Sequence, residues 1–271
     1  MVESGESTAN SEPDESAPRP GDAYVQSFAR GLAVIRAFDA AHPMMTLSEV
    51  AEAAGLTRAG ARRILLTLVQ LGYVAAEGRQ FRLTPRILDL GFAYLSSLPI
   101  WNLAEPIMEE LVDEVHESCS ASVLDCPDIV YVLRIPTHKI MAISLGIGSR
   151  LPAYCTSMGR VLLAGLSDSE IDDVLRKSDL QARTTRTVTD RAALKELIAE
   201  VRDKGWAMVN QELEEGLVSI SAPIRDRNGR IIAAMNISGQ ANRTPPTYMV
   251  KKILPPLRAA ADRISALLHR R

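Results

Sequence analysis

Aromatic side chains are scarce in this 271-residue chain: four Phe, six Tyr and two Trp make up 4% of it. With so few rings the interior must be packed by aliphatic groups, and an apolar fraction of 46% is enough to supply them. Cysteine is scarcer still. Cys119, Cys126 and Cys155 cannot all pair with one another, and their spacing fits neither a disulfide framework nor a zinc site. The four histidines, His42, His116, His138 and His269, lie far apart in sequence. There is no G-x-S-x-G elbow, no Gly-rich phosphate loop and no H-E-x-x-H pair. Acid–base, nucleophilic and metal-assisted catalysis thus lose their usual carriers, so no catalytic residue, metal or cofactor is expected. No apolar run approaches the ~18 residues of a membrane span. The acidic N-terminus lacks the basic and apolar regions of a signal peptide, so the expected compartment is the cytoplasm, with no membrane partner.

The formal charge of −2 is unevenly spread. Residues 1–22 hold six acids and one Arg among Ser, Pro and Glu, and almost no large apolar group. Such a segment cannot bury enough surface to offset its ordering entropy, and it is expected to be a disordered acidic tail. Residues 23–97 hold eight Arg, no Lys and five acids. Arg is the cation suited to forked contacts with phosphate and guanine. The remainder balances at 22 charges of each sign.

Order is expected from Tyr24, with a helical pattern running to Ala41 and fading at His42-Pro43. Thr46 to Glu49 reads as a capping box. Leu47, Val50, Ala51 and Ala54 form one helical stripe behind it, and Gly55 makes a turn. Thr57 caps a second helix ending at Gly72. The period then becomes extended. Tyr73–Ala76 and Phe81–Leu83 flank Glu77-Gly78-Arg79-Gln80 as a hairpin. Residues 85–98 read as a linker helix. Beyond them, helices are expected at Glu105–Glu117, from Thr156 or Ser157 to Leu166, from Ser167 to Lys177, at Asp190–Lys204 and at Tyr248–His269. Strands are expected at Ser120–Asp125, Ile129–Ile135, Lys139–Leu145, Trp206–Gln211, Leu217–Ile224 and Arg230–Ser238. The fold class is α+β, with an antiparallel sheet in the larger region. The domains are a tail at 1–22, a winged helix-turn-helix at 23–84, the linker at 85–98 and a second domain at 99–271.

Two helices joined by a Gly-containing turn, with cations on the second, form a helix-turn-helix pattern. The second helix carries Arg58, Arg62 and Arg63 in the half that reads bases. Gly60 is small enough for close approach to DNA. Thr46 and Thr57 stand at helix N-termini, where phosphate is favoured. Arg79 and Gln80, at the hairpin tip, are placed to reach the flanking backbone or minor groove. The expected partner is double-stranded DNA.

The run from Ser27 to Phe38, followed by TLSEVAEAAGLTRAGARRILLTLVQLGYV, resembles the winged helix-turn-helix of IclR-type bacterial regulators. LPAYCTSMGRVLLA, from Leu151 to Ala164, and ELEEGLVSISAPIRDRNGRIIAAMNIS, from Glu212 to Ser238, resemble their second domain. The similarity covers residues 24–271 and leans toward the branch governing protocatechuate, 4-hydroxybenzoate and β-ketoadipate catabolism. It implies a GAF-like effector domain. By that resemblance Ser157 and Met158 belong to the pocket, with Ile140 and Ile143 as an apolar wall and Ser219, Asn236 and Ser238 as polar groups. Val209 stands where such regulators often carry an acid, which suits an anionic ligand.

The residues agree with this reading. Asn236 and Ser238 alternate with Ile237 and share a sheet face, as do Ser219 and Ser221 on another strand. A helix N-terminus at Ser157 favours an anion, and Arg134, His138 and Arg150 are candidate cations. Glu212, Glu214 and Glu215 read as a solvated loop. The expected function is a ligand-responsive transcriptional regulator of aromatic-acid genes. Its effector is a small organic acid, and it acts as a dimer or tetramer on a palindromic or repeated operator. The alternatives are a regulator of the same family answering an unrelated metabolite, an enzyme fused to a DNA-binding domain, and an architectural DNA binder.

Overall fold

A computed structural model describes residues 24–97, 100–137 and 145–269. The chain divides into two compact units at Ala93/Tyr94.

The first unit holds helices α1 (Gln26–Arg36), α2 (Leu47–Ala53) and α3 (Arg58–Leu71) with strands β1 (Met45–Thr46), β2 (Val74–Glu77) and β3 (Gln80–Leu83). The strands pair antiparallel in the order β1-β3-β2. Val34, Phe38, Met45, Val50, Leu65, Leu68 and Val74 form its aliphatic core. α1 stops at Arg36, short of the expected Ala41. The Asp39 carboxylate accepts from the backbone N–H groups of Ala41 and His42 at 2.9 and 2.7 Å, a local turn that replaces helical bonding. β1 is two residues long, too short to show a period.

Helix α4 (Leu88–Ser97) follows a 3₁₀ turn at Pro85–Ile87 and spans the division between the units. The second unit begins with α5 (Ile100–Val115), which starts five residues before the expected Glu105. Ile100, Trp101, Ala104, Ile107, Met108 and Leu111 are buried at helical spacing, and this packing carries the helix through Pro106 despite its missing donor. His116, at φ 56°, ends it.

Strands β4 (Ser118–Asp125), β5 (Asp128–Ile135), β6 (Arg150–Pro152), β7 (Ala207–Asn210), β8 (Leu217–Arg225) and β9 (Ile231–Gln240) make one sheet in the order β6-β5-β4-β9-β8-β7. Every pairing is antiparallel. The expected strand at Lys139–Leu145 lies outside the described residues except for Leu145, which is in a loop.

Side chains alternate across this sheet. Cys119, Ala121, Val218, Ile220, Met235 and Ile237 face α5 and α10 (Leu254–His269). Ile129, Tyr131, Ala207 and Ala234 face α6 (Ser157–Ala164), α7 (Asp168–Lys177) and α8 (Arg191–Lys204). Fully burying each Ile or Met contributes roughly 1.5–3 kcal/mol. The last helix is not the single run expected from Tyr248. A short turn, α9 (Pro246–Tyr248), leads into a π turn at Met249–Ile253 before α10. Pro255 and Pro256 lack N–H groups and would clash with the carbonyls four residues back, and the widened turn accommodates them.

Candidate nucleic-acid interface and effector cavity

In the first unit, Thr46 and Glu49 form the capping box: Glu49 accepts from Thr46 N–H at 2.6 Å, and Thr46 Oγ1 accepts from Glu49 N–H at 3.4 Å. Gly55, at φ 63°, turns the chain. Thr57 Oγ1 caps α3 by accepting from Gly60 N–H at 3.1 Å. Each capping hydroxyl keeps its own proton free to donate outward. A Cβ on Gly60 would stand 3.2 Å from Thr57 Oγ1, so the small residue protects the cap.

α3 buries Ala61, Leu65 and Leu68 and leaves Arg58, Arg62 and Arg63 exposed. Among the described residues none of these three, nor Arg79, pairs with a carboxylate, whereas Arg82 holds Glu77 at 2.5 Å. Arg79 is exposed in the hairpin turn beside Gly78. Gln80 is not in the turn; it opens β3, paired with Glu77 on one side and Thr46 on the other. The turn has two residues rather than four, which moves Gln80 off the tip.

In the second unit, a cavity lies between α6 and the sheet. Arg134, Ser157, Met158, Ser219, Asn236 and Ser238 all line it. Ile140, Ile143 and His138 lie outside the described residues. Ser157 is the first residue of α6, and Thr156 Oγ1 caps the helix by accepting from Gly159 N–H at 3.2 Å. A Cβ on Gly159 would sit 2.1 Å from the Ala153 carbonyl oxygen, so only glycine lets the helix start this close to the preceding chain. Ser219 Oγ donates to Ser157 Oγ at 2.9 Å, joining β8 to the helix. Asn236 Nδ2 donates to Ser238 Oγ at 2.9 Å. Asn236 Oδ1 is buried without a partner. Arg134 Nη1 donates to Ser120 Oγ at 3.3 Å.

The apolar side of the cavity includes Val209, Leu213 and Leu217. Val209 brings no charge to this wall. Tyr131, Cys155 and Thr156 complete the polar part. Burial pushes the Tyr131 hydroxyl up to about 12, with Arg134 nearby pulling the other way. Burial likewise pushes the Cys155 thiol up to about 11. Both groups are neutral near pH 7, so Arg134 is the one cation lining the cavity among the described residues. The cavity offers about 30 Å³, enough for water.

Two sequence readings need correction. Arg150 is no free cation: it donates to Asp125 Oδ2 at 2.5 Å, Asp128 Oδ2 at 3.2 Å and the Asp125 carbonyl at 2.9 Å, outside the cavity lining. Glu212 is not in a solvated loop. It is buried against Arg160, a pairing between residues distant in sequence that local composition does not reveal. Tyr131 and Leu213 were missed as lining residues. Alternation with buried Ile129 marked Tyr131, whereas nothing local marked Leu213.

Comparison with known proteins fits both halves. Residues 27–78 match the IclR helix-turn-helix domain, and residues 92–266 match the bacterial transcriptional regulator IclR C-terminal family. The chain is 42% identical to the Pca regulon regulatory protein of Pseudomonas putida, over 88% of this chain and 82% of that one. A candidate transcriptional regulator from Rhodococcus sp. RHA1 shares 54% identity with a TM-score of 0.82, covering 91% of this chain and 99% of that one. An IclR homologue from Microbacterium hydrocarbonoxydans, solved in complex with 4-hydroxybenzoate, is 26% identical with a TM-score of 0.80, covering 90% and 100%. The chain therefore belongs to the IclR family of bacterial transcriptional regulators.

Proposed function

We propose that this regulator grips double-stranded operator DNA through α3 and the wing, and alters that grip when a small organic acid fills the cavity beside α6. The genes it governs are those of aromatic-acid catabolism, and it works in the cytoplasm. The similarity to a Pca regulon regulator and to a homologue complexed with 4-hydroxybenzoate supports this reading. The observation that carries it is the cavity: Arg134 and the start of α6 stand among Ser157, Ser219, Asn236 and Ser238, with apolar walls for a carbon skeleton. That arrangement suits an anion with a compact apolar body.

On DNA, Arg58, Arg62 and Arg63 enter the major groove, Thr46 and Thr57 hold phosphates, Gly60 keeps the α3 cap intact, and Arg79 in the turn, with the exposed Gln80 at the start of β3, reaches the flanking backbone or minor groove. The proposed domains are residues 1–22, the reading head at 23–84, the linker at 85–98 and the effector domain at 99–271. Val25 and Phe28 of the first helical region are 63% and 69% exposed, and Leu88 and Phe92 of α4 are 70% and 68% exposed. Rings and aliphatic groups so open to water suit burial against a second copy. The working form is a homodimer, or a dimer of dimers, on a palindromic or repeated site. A cavity of about 30 Å³ must open to admit an aromatic acid. The acid therefore favours one arrangement of the domain over another, and α4 passes that preference to the paired reading heads.

Calorimetric titration with protocatechuate, 4-hydroxybenzoate, β-ketoadipate and a neutral aromatic tests the reading. Binding by at least one acid is expected. Binding by the neutral compound and by none of the acids would contradict it.

A further inference from the structure

The surface assigned to DNA carries charge that its own unit leaves unbalanced. Arg58, Arg62, Arg63 and Arg79 are exposed, and among the described residues none of them pairs with a carboxylate. Asp39, Glu49 and Glu77 are engaged elsewhere: Asp39 by the backbone of Ala41 and His42, Glu49 by Thr46 N–H, and Glu77 by Arg82. Residues 1–22 belong to the same unit and carry the complementary charge. Glu3, Glu6, Glu12, Asp14, Glu15 and Asp22 stand against Arg19 alone, six acids to one base and a net of −5. Residues 23–97, with eight Arg and five acids, carry +3. The match to the IclR helix-turn-helix domain begins only at residue 27, so this acidity is an addition to the reading head and not a part of it.

We infer that residues 1–22 dock on the exposed arginines of α3 and the wing, and hold the surface that DNA requires until a phosphate backbone displaces them. The inference rests on the DNA-reading assignment above and adds a competitor to it. Reach is ample. At ~3.3 Å per residue the segment spans up to about 70 Å, whereas a head of this size is about 25–30 Å across. Spacing agrees as well. Arg58 and Arg62 are four residues apart on a helix, a rise of about 6 Å. Alternate residues of an extended chain, such as Glu12 and Asp14, repeat at about 6.6 Å. Successive carboxylates can therefore meet successive guanidinium groups as phosphates would. Tethering gives the acids an effective concentration on the order of mM, so weak ion pairs are enough to hold them. The segment has almost no large apolar group, so charge alone holds the contact and salt screens it. A head already covered by carboxylates releases fewer counterions when DNA binds. The docked segment thus lowers DNA affinity at low salt and flattens its salt dependence.

The test compares the full-length wild type with a neutral-tail variant carrying Glu3→Gln, Glu6→Gln, Glu12→Gln, Asp14→Asn, Glu15→Gln and Asp22→Asn. Anisotropy titration of a short random-sequence DNA duplex should give roughly three- to tenfold tighter binding by the variant at ~50 mM salt. The two should converge to within about twofold at ~0.5 M, so the variant has the steeper salt slope. Adding Arg62→Ala to both proteins should cut the gain by about twofold or more, because one docking partner is gone. Phenylglyoxal labelling without DNA, read by mass spectrometry, supplies a second measurement. Arg58, Arg62, Arg63 and Arg79 should react faster in the neutral-tail variant, while the exposed Arg227 of the second unit reacts alike in both. Equal DNA affinity of the two proteins at low salt overturns the inference. A gain that Arg62→Ala leaves undiminished, or identical arginine labelling, means that the acids repel DNA without docking and overturns it as well. DNA binding by neither protein overturns the reading-face assignment on which the inference rests.

Discussion

Arg160 Nη1 and Nη2 donate to Glu212 Oε1 and Oε2 at 2.8 and 2.6 Å, a two-pronged ion pair whose side chains are only 4% and 10% exposed. Arg160 Nε also donates to the Tyr154 carbonyl at 3.1 Å, and Glu212 Oε2 accepts from Val188 N–H at 3.3 Å. The pair fastens the chain after β7 to α6, and Leu213, next to Glu212, lines the cavity. Removing one partner strands the other in a dry interior. Arg160→Met and Glu212→Leu should each lower stability by ~3–5 kcal/mol, and combining the two should cost less than the sum. Urea unfolding of the two single variants and the double variant checks this. Single variants within about 1 kcal/mol of wild type would show that the pair holds little.

Arg58→Ala or Arg62→Ala should weaken operator binding by ~1–3 kcal/mol. A residue that reads a base should also relax preference at one operator position, whereas one on phosphate should reduce the salt slope by about one. Anisotropy titrations at several salt concentrations separate the two. Wild-type affinity and preference in both variants would place the reading face elsewhere.

Gly159→Ala would force a Cβ into the Ala153 carbonyl, which is backbone and cannot swing aside. A loss of ~3 kcal/mol or more is expected, with weaker acid binding because Ser157 and Met158 shift with the helix start. Chemical denaturation and calorimetry read both effects. An unchanged midpoint would mean that α6 moves freely at its start.

Alkaline pH should destabilise the effector domain. Burial raises Cys155 from 9.0 to about 11 and Tyr131 from 10.0 to about 12. Between those limits the unfolded chain releases protons that the folded chain retains, so unfolding free energy falls as pH rises from about 9 to 12. Each group contributes on the order of 2 kcal/mol over its full range. Urea midpoints at about pH 8, 10 and 11 should fall, and Cys155→Ala should lessen the fall without abolishing it, because burial raises the Cys119 thiol further still. A flat profile in the wild type would contradict the burial of these groups.

The reading head was legible because its signals are local. Capping at Thr46 and Thr57, the turn at Gly55 and the stop at Gly72 each sit within a few residues of what they control. The alternation of Ser219 and Ser221, and of Asn236 and Ser238, likewise places those side chains on one face of the sheet without need of the strand order. Less legible were features set by distant partners. The burial of Glu212 depends on Arg160, and the start of α5 depends on the core that takes up Ile100 and Trp101. The π turn before α10 answers two prolines, but how a helix adjusts to them is a packing decision. β1 and β6, at two and three residues, were below the length at which alternation can be seen.

A ligand in the cavity should change the grip on DNA. Operator affinity of the full-length protein, measured with and without a saturating acid whose binding calorimetry has confirmed, tests it most directly. A shift of roughly 5- to 150-fold is expected, the range of ordinary coupling energies, with more acid needed to reach it when Arg134 is replaced. Identical affinity with the cavity empty and filled would contradict it.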